Sequence, residues 1–325
     1  MAHFNQKIII KKLNQYLISR KRSVLLQQGY CHGIALLWLH QISTGNEYWF
    51  YHLTQQIADC ENDDDFNFIE WDIELFISYI EWLQHSCFYF KEVNQLDIEK
   101  LIEIHEEMKL SFLFHHTEIE FILSFIVIKN KLISISSHNH TIALYNKDDN
   151  IYMFDANYDK LIPKIINNIT LLKLEIITCL FKRNYIPSCR LPLEIIVLSN
   201  PSDLSTDRNN KYFQDTIEDI YLQLIKNCRI VDVPGLDGIT NMYLACESGN
   251  EREVFHLLKN GSNPNQTCKM NDLTPLHIAS VKGHLSIVKL LIFFGAIPQA
   301  NKSGIKPIDL AKKSGHETVA QFLLK

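Results

Sequence analysis

The sequence predicts an α+β chain in which a helical half and an antiparallel sheet are followed by an all-α repeat solenoid. Three observations predict it. Apolar residues recur at helical spacing over most of the first hundred positions and then alternate, strand-fashion, between residues 131 and 154. A cysteine, a histidine and an aspartate stand in that chain order at Cys31, His140 and Asp155, each in a distinctive local context. Near the C-terminus one pattern recurs, beginning at Ile239, Leu273 and Ile305, which is a period of 34 and then 32 residues.

Ile9, Leu13, Tyr16 and Leu17 fall at helical spacing, so residues 6–20 read as an amphipathic helix with a basic face. Residues 1–46 hold six basic residues, Lys7, Lys11, Lys12, Arg20, Lys21 and Arg22, and no acidic one. That face reads as a solvated surface on a packed helix; contact with an acidic partner or an anionic membrane is the less favoured use. Cys31 then opens an apolar helical run. Helical spacing continues over residues 47–59, 66–86 and 97–107, and the acidic E-N-D-D-D from Glu61 reads as a solvated loop. Ser111 to Phe114 fits a short strand and Glu118 to Phe125 a helix. Strands follow at Lys131 to Ser136, His140 to Tyr145 and Ile151 to Phe154, the last two joined by a polar turn. Ile162 to Leu180 reads as a helix returning over the sheet, and Leu193 to Leu198 as a final strand. The polar stretch from Asn200 is the linker and residues 212–228 a capping or connecting helix. The implied division is residues 1–199, a connector over 200–235, and the repeats over 236–325.

Composition excludes several function classes. With 46% hydrophobic and 21% charged residues, the chain has the make-up of an ordinary globular protein. Its eight cysteines are scattered singly with no C-x-x-C pair, so neither a zinc ribbon nor a thioredoxin-like motif is indicated, and the thiols read as reduced. The N-terminus lacks the apolar core of a signal peptide, and apolar stretches such as Phe121 to Ile128 are too short to span a bilayer. No basic stripe with interleaved aromatics suggests nucleic acid. The H-N-H segment has no further ligand at metal-binding spacing, and no metal or cofactor is implied.

Cys31 follows a Gly-Tyr pair and starts a helix, where the dipole favours a thiolate. Gly29 and Gly33 flank it and allow close backbone approach. His140 and Asp155 fall on neighbouring strands of one hairpin, which places a base beside a group that orients it. Taken singly, the three are a small core thiol, a strand histidine and a turn former; the shared context joins them. Gln27 and Gln28 are the nearest amides that could supply a second oxyanion donor. His32 and His138 neighbour the trio, and Asn157 reads as a structural turn residue.

The segments G-Y-C-H-G-I-A-L-L-W-L, H-T-I-A-L-Y and Y-M-F-D-A-N-Y resemble the three blocks of the YopT-type papain-fold cysteine proteases, effectors that bacteria deliver into host cells. The resemblance covers about the first two hundred residues and is strongest at those blocks. It implies a papain-like fold with Cys31 as nucleophile, His140 as general base and Asp155 as orienting carboxylate. Thr141 and Ala156 stand where the family has Ala and Pro, and Asp159 where Gly is common. These departures leave the trio intact.

The middle C-terminal copy contains T-P-L-H-I-A at Thr274 to Ala279 and resembles the ankyrin repeat, whose period the chain also matches. Pro275 starts a first helix, Gly249, Gly283 and Gly315 end the first helices, and His277 is the histidine that ties neighbouring turns in such repeats. Polar positions expected on the partner-facing side are Asn241, Glu247, Lys269, Asn271, Lys282 and Lys302. The pairing of the two regions resembles ankyrin-containing effectors of intracellular bacteria such as Legionella. It implies a cysteine protease secreted into the host cytoplasm, acting on a host protein that the repeats recruit. One alternative is a catalytically silent scaffold that binds a host protein. Another uses the same trio for deamidation or acyl transfer.

Overall fold

The computed structural model describes residues 5–25, 30–85, 105–137, 140–148, 150–181, 190–199, 238–269 and 271–324. Gln27, Gln28, His138, the linker from Asn200 and the connecting helix over 212–228 lie outside the described residues. The chain separates into two compact units, one of residues 1–108, 120–185 and 195–207, the other of residues 109–119, 186–194 and 208–325.

The first unit opens with helix α1 (Gln6–Ser19), capped by Asn5, whose side chain accepts the Lys7 N–H at 3.1 Å. It buries Ile9, Ile10, Leu13, Tyr16 and Leu17. Its basic face is partly answered within the unit. Lys12 donates to the Cys60 carbonyl, Arg20 pairs with Glu70 at 3.1 Å, and Arg22 pairs with Glu74. Helix α2 (Cys31–Ser43) is buried along nearly its whole length, with Trp38 fully enclosed. Helix α3 (Glu47–Asp59) follows as the periodicity predicts.

The acidic run is a helix start rather than a loop, and the helix expected over 66–86 is two helices, α4 (Asp63–Asn67) and α5 (Glu70–His85). Asn62 accepts the N–H groups of Asp64 and Asp65, and Asp65 accepts the N–H of Asn62 at 3.1 Å. Three carboxylates thereby sit at the positive end of a helix.

The sheet contains β1 (His105–Phe114), β2 (Leu132–Ser137), β3 (His140–Lys147), β4 (Asn150–Asp155), β5 (Lys164–Ile165) and β6 (Leu191–Ser199), in the order β1-β6-β2-β3-β4-β5. Strands β2 to β5 pair antiparallel, with Ser137 opposite His140 and Ile142 opposite Asp155. Ala143, Tyr145 and Phe154 join the core formed with α1 to α5. Ile142, of opposite parity, shares the other face with Asp155, and helix α7 (Ile169–Phe181) packs on β3. Helix α6 (His116–Ile126) lies between β1 and β2 in the chain.

Two expected helices are shorter than their periodicity suggested. Residues 105–107 of the segment read as helical over 97–107 belong to β1, and residues 97–104 lie outside the described set. Of Ile162 to Leu180, only the part from Ile169 is helical. Ile166 donates its N–H to Ile151 at 2.9 Å, which keeps the preceding chain on the sheet. The helix begins after Asn168, which accepts the Leu171 N–H at 3.0 Å.

In the second unit three helix pairs follow one another: α8 (Asn241–Ser248) with α9 (Glu251–Lys259), α10 (Pro275–Val281) with α11 (Leu285–Phe293), and α12 (Pro307–Lys313) with α13 (Glu317–Leu323). Ala245, Ala279 and Ala311 are fully buried where first helices stack. Gly283 has φ +77°, and a Cβ there would lie 2.5 Å from the His316 ring, so the helix ends on a residue that only glycine suits. His277 Nε2 lies 2.9 Å from the Ile305 carbonyl and ties two repeats.

The first repeat also meets residues 109–113. Asn241 Oδ1 accepts the Leu113 N–H at 2.7 Å, Glu253 Oε2 accepts the Ser111 N–H at 3.3 Å, and Asn250 Nδ2 donates to the Lys109 carbonyl at 3.0 Å. Alternate backbone groups of this strand segment are thus satisfied by helix side chains instead of another strand.

Candidate functional site

His140 opens β3 and Asp155 closes β4, so the antiparallel register brings them together although fifteen positions separate them. His140 Nε2 lies 2.8 Å from Asp155 Oδ1. The Cys31 thiol, at the first residue of α2, lies close enough to the same ring to raise its pKa. The three residues are joined through the imidazole, with Cys31 7% and Asp155 3% exposed.

The electrostatics follow from those contacts. Burial disfavours a charged His140 ring, but the hydrogen bond and charge of Asp155 and the nearby Cys31 thiol outweigh it, raising the group to about 9. Burial pushes Asp155 upward, and the His140 hydrogen bond and charge more than reverse this, leaving its carboxyl below the ordinary value. An imidazolium beside a carboxylate and a thiol can hold a thiolate and return a proton to a leaving group.

Three neighbours were not assigned a site role from the sequence. The Asn157 N–H donates to Asp155 Oδ1 at 2.7 Å, and its side-chain nitrogen lies 3.2 Å from His140 Nε2. Its turn position is as read, and its spacing two residues after Asp155 was the signal for the second contact. On α7, the Cys179 thiol also lies near enough to Asp155 for each to shift the other, and burial pushes that thiol up to about 12. Tyr158 links this group onward, 3.5 Å from Cys179 Sγ and donating to Glu175 at 3.0 Å. Only the i to i+4 spacing of Glu175 and Cys179 hinted at it. His32 Nδ1 lies 3.4 Å from Thr141 Oγ1, which in turn lies 2.9 Å from Ser136 Oγ. The hydroxyl at Thr141 therefore occupies a polar link between α2 and the sheet.

Helix α2 begins without a side-chain cap from Tyr30. The Gly33 N–H instead donates to Gln84 Oε1 of α5 at 2.9 Å. No local sequence pattern pairs residues so far apart.

The six expected partner-facing residues divide. Glu247 pairs with Lys282 at 3.5 Å, Lys302 with Asp272 at 3.4 Å, and Asn271 donates to the Tyr243 hydroxyl at 3.2 Å. Lys269 is exposed, its Cβ beside Gly238. Asn241 does not fit the expectation: it is 2% exposed, and its carboxamide is committed to the Leu113 N–H. A polar residue at a first-helix start looks alike in sequence whether it faces a partner or a strand of its own chain.

Among the described residues no helix is long and apolar enough to cross a membrane. A family profile for ankyrin repeats, in three copies, matches residues 242–325. The Notch-regulated ankyrin repeat-containing protein of Xenopus laevis is 34% identical over 88 residues, 25% of this chain and 74% of that protein. Its counterpart A in Danio rerio is also 34% identical over 88 residues, covering 75% of that protein. The mouse ARF GTPase-activating protein GIT2 is 32% identical over 100 residues, 30% of this chain, and the chain spans only 14% of GIT2's length. With three repeats matched in sequence and built as three stacked helix pairs, the chain belongs to the ankyrin-repeat proteins.

Proposed function

We propose that the first unit is a papain-like cysteine protease and that the repeats bring it a protein substrate. One observation carries the reading: a single imidazole contacts both a thiol at a helix N-terminus and a buried carboxylate. In the proposed reaction Cys31 gives its proton to His140, and the sulfur attacks a peptide carbonyl. His140 then protonates the departing amine, leaving a thioester on Cys31. Water, deprotonated by His140, releases the acid. Asp155 holds the ring and balances its charge throughout. Ankyrin repeats serve protein binding, and the helical array supplies that function here. A bacterial effector acting on a host protein is the setting that the sequence resemblance suggests.

A second reading, a binding scaffold without catalysis, is favoured by the burial of Cys31, a residue only 7% exposed. The test is a fluorogenic peptide library presented to the wild type and to Cys31→Ala. Cleavage lost in the variant supports the protease. Identical behaviour of the two proteins supports the scaffold.

A further inference from the structure

A cavity of about 520 Å³ opens in the first unit, away from Cys31. Ile42, in the last turn of α2, lines it, and the rise of that helix puts roughly 16 Å between Ile42 and Cys31. Helix α3 contributes Glu47 and Tyr51, one turn apart on a single face. The sheet contributes Tyr152 and Ile165, which stand opposite each other in the β4–β5 register and so share one side. Ile162 and Pro163 add to the wall from the chain before β5. Ile162 and Ile165 are each more than half exposed, so the cavity presents apolar surface to solvent. Its size is that of a site for a small molecule, and its polar groups are few.

Those polar groups set the chemistry of the occupant. Lys147 and Lys160 line the cavity with Glu47, two ammonium groups to one carboxylate. Lys147 Nζ stands 3.5 Å from Glu47 Oε1, longer than a charge-assisted hydrogen bond, and Glu47 Oε2 is buried with no hydrogen-bond partner. The carboxylate is short of donors, and Oε1 is the oxygen left to meet one. Lys160 and the adjoining Leu161 hold left-handed backbone, φ +55° and +52°, a strained conformation of the kind kept at ligand clamps. We infer that this cavity binds an amino-acid-like zwitterion with a large apolar side chain. Its ammonium group donates to Glu47, its carboxylate faces Lys147 and Lys160, and its side chain lies against the two tyrosine rings and the isoleucines. A carboxylate alone would leave Glu47 without its donor, and an amine alone would add a third positive charge beside the lysines. The site uses none of Cys31, His140 and Asp155, so it stands whether or not they act in catalysis.

Three probes test the assignment on the full-length chain by saturation-transfer NMR: L-phenylalanine, hydrocinnamate, which lacks the amine, and phenethylamine, which lacks the carboxylate. L-Phenylalanine is expected to bind at least about 10-fold more tightly than either analogue. Glu47→Gln keeps the side chain's shape and removes its charge; it is expected to weaken L-phenylalanine about 10-fold without weakening hydrocinnamate. Lys147→Met is expected to weaken both acids and spare the amine, and Cys31→Ala to bind as the wild type does. An analogue that matched L-phenylalanine would overturn the zwitterion. An affinity for L-phenylalanine unchanged in Glu47→Gln would overturn the inference as well, because the carboxylate would then not be the anchor. Binding lost in Cys31→Ala would place the ligand at the thiol instead of in this cavity. No binding of L-phenylalanine at ~10 mM would overturn the inference outright.

Discussion

Trp38 lies flat on Phe154, ring centroids 4.9 Å apart and planes within 9° of parallel. The first residue is two turns along the helix that Cys31 opens, and the second immediately precedes Asp155. Trp38 also donates its indole N–H to the Tyr51 hydroxyl at 2.9 Å. One stacked pair thus fixes the helix of the thiol against the strand of the carboxylate, with the histidine strand β3 paired to that strand. Trp38→Ala is expected to destabilise the first unit by about 3–5 kcal/mol, the range for removing a large buried aromatic. Urea unfolding measures it, and a loss under about 1 kcal/mol would mean the stack does not hold these elements together.

Protonation of His140 gives a pH dependence of definite sign. Its folded value of about 9 exceeds the ordinary 6.5, so the charged ring stabilises the fold fully below about pH 6.5 and this contribution is lost as pH rises through 9. Asp155 acts oppositely: its depressed folded value means a contribution present above about pH 4 and lost in stronger acid. NMR titration of the His140 ring should show a midpoint near 9, falling in Asp155→Asn, where an attractive charge is removed. An unchanged midpoint in that variant would show that the carboxylate does not set the ring's charge.

Gly33→Ala places a methyl carbon 2.3 Å from the Ile80 carbonyl oxygen, too close without moving α2 or α5. The expected cost is about 1–3 kcal/mol, the usual scale for overpacking, accompanied by slower alkylation of Cys31. Thermal melting and thiol labelling check both halves. Wild-type values in both would mean that the helix contact is loose.

Asn241→Ala strips the acceptor from the Leu113 N–H, a contact of 2.7 Å between buried groups. An unsatisfied buried donor costs about 1–3 kcal/mol. Hydrogen exchange should show the Leu113 amide losing protection while repeat-core amides such as Ala279 keep theirs. Equal protection in variant and wild type would show that the strand segment does not depend on the first repeat.

The sequence made the repeats legible because their period, the Thr-Pro helix start and the terminal glycines are all local signals. The hairpin carrying His140 and Asp155 was legible for the same reason, since alternation and a polar turn fix both strands. Periodicity failed where a capping residue decided the outcome. Asn62 converts an acidic loop into a helix start, and Asn168 delays a helix that the periodicity begins at Ile162. It failed again where the partner is distant in the chain: Gln84 at Gly33, Cys179 at Asp155, and Asn241 at Leu113 leave no mark on local pattern.

The most direct measurement of the central claim, that Cys31, His140 and Asp155 act as one nucleophilic unit, is competitive iodoacetamide labelling at pH 6 with peptide-level readout. Cys31 should label at least about 10-fold faster than Cys60, Cys179 and Cys246, whose thiols burial pushes upward. His140→Ala should remove that advantage. Labelling of Cys31 no faster than of those three thiols, or an advantage that survives His140→Ala, would contradict the account.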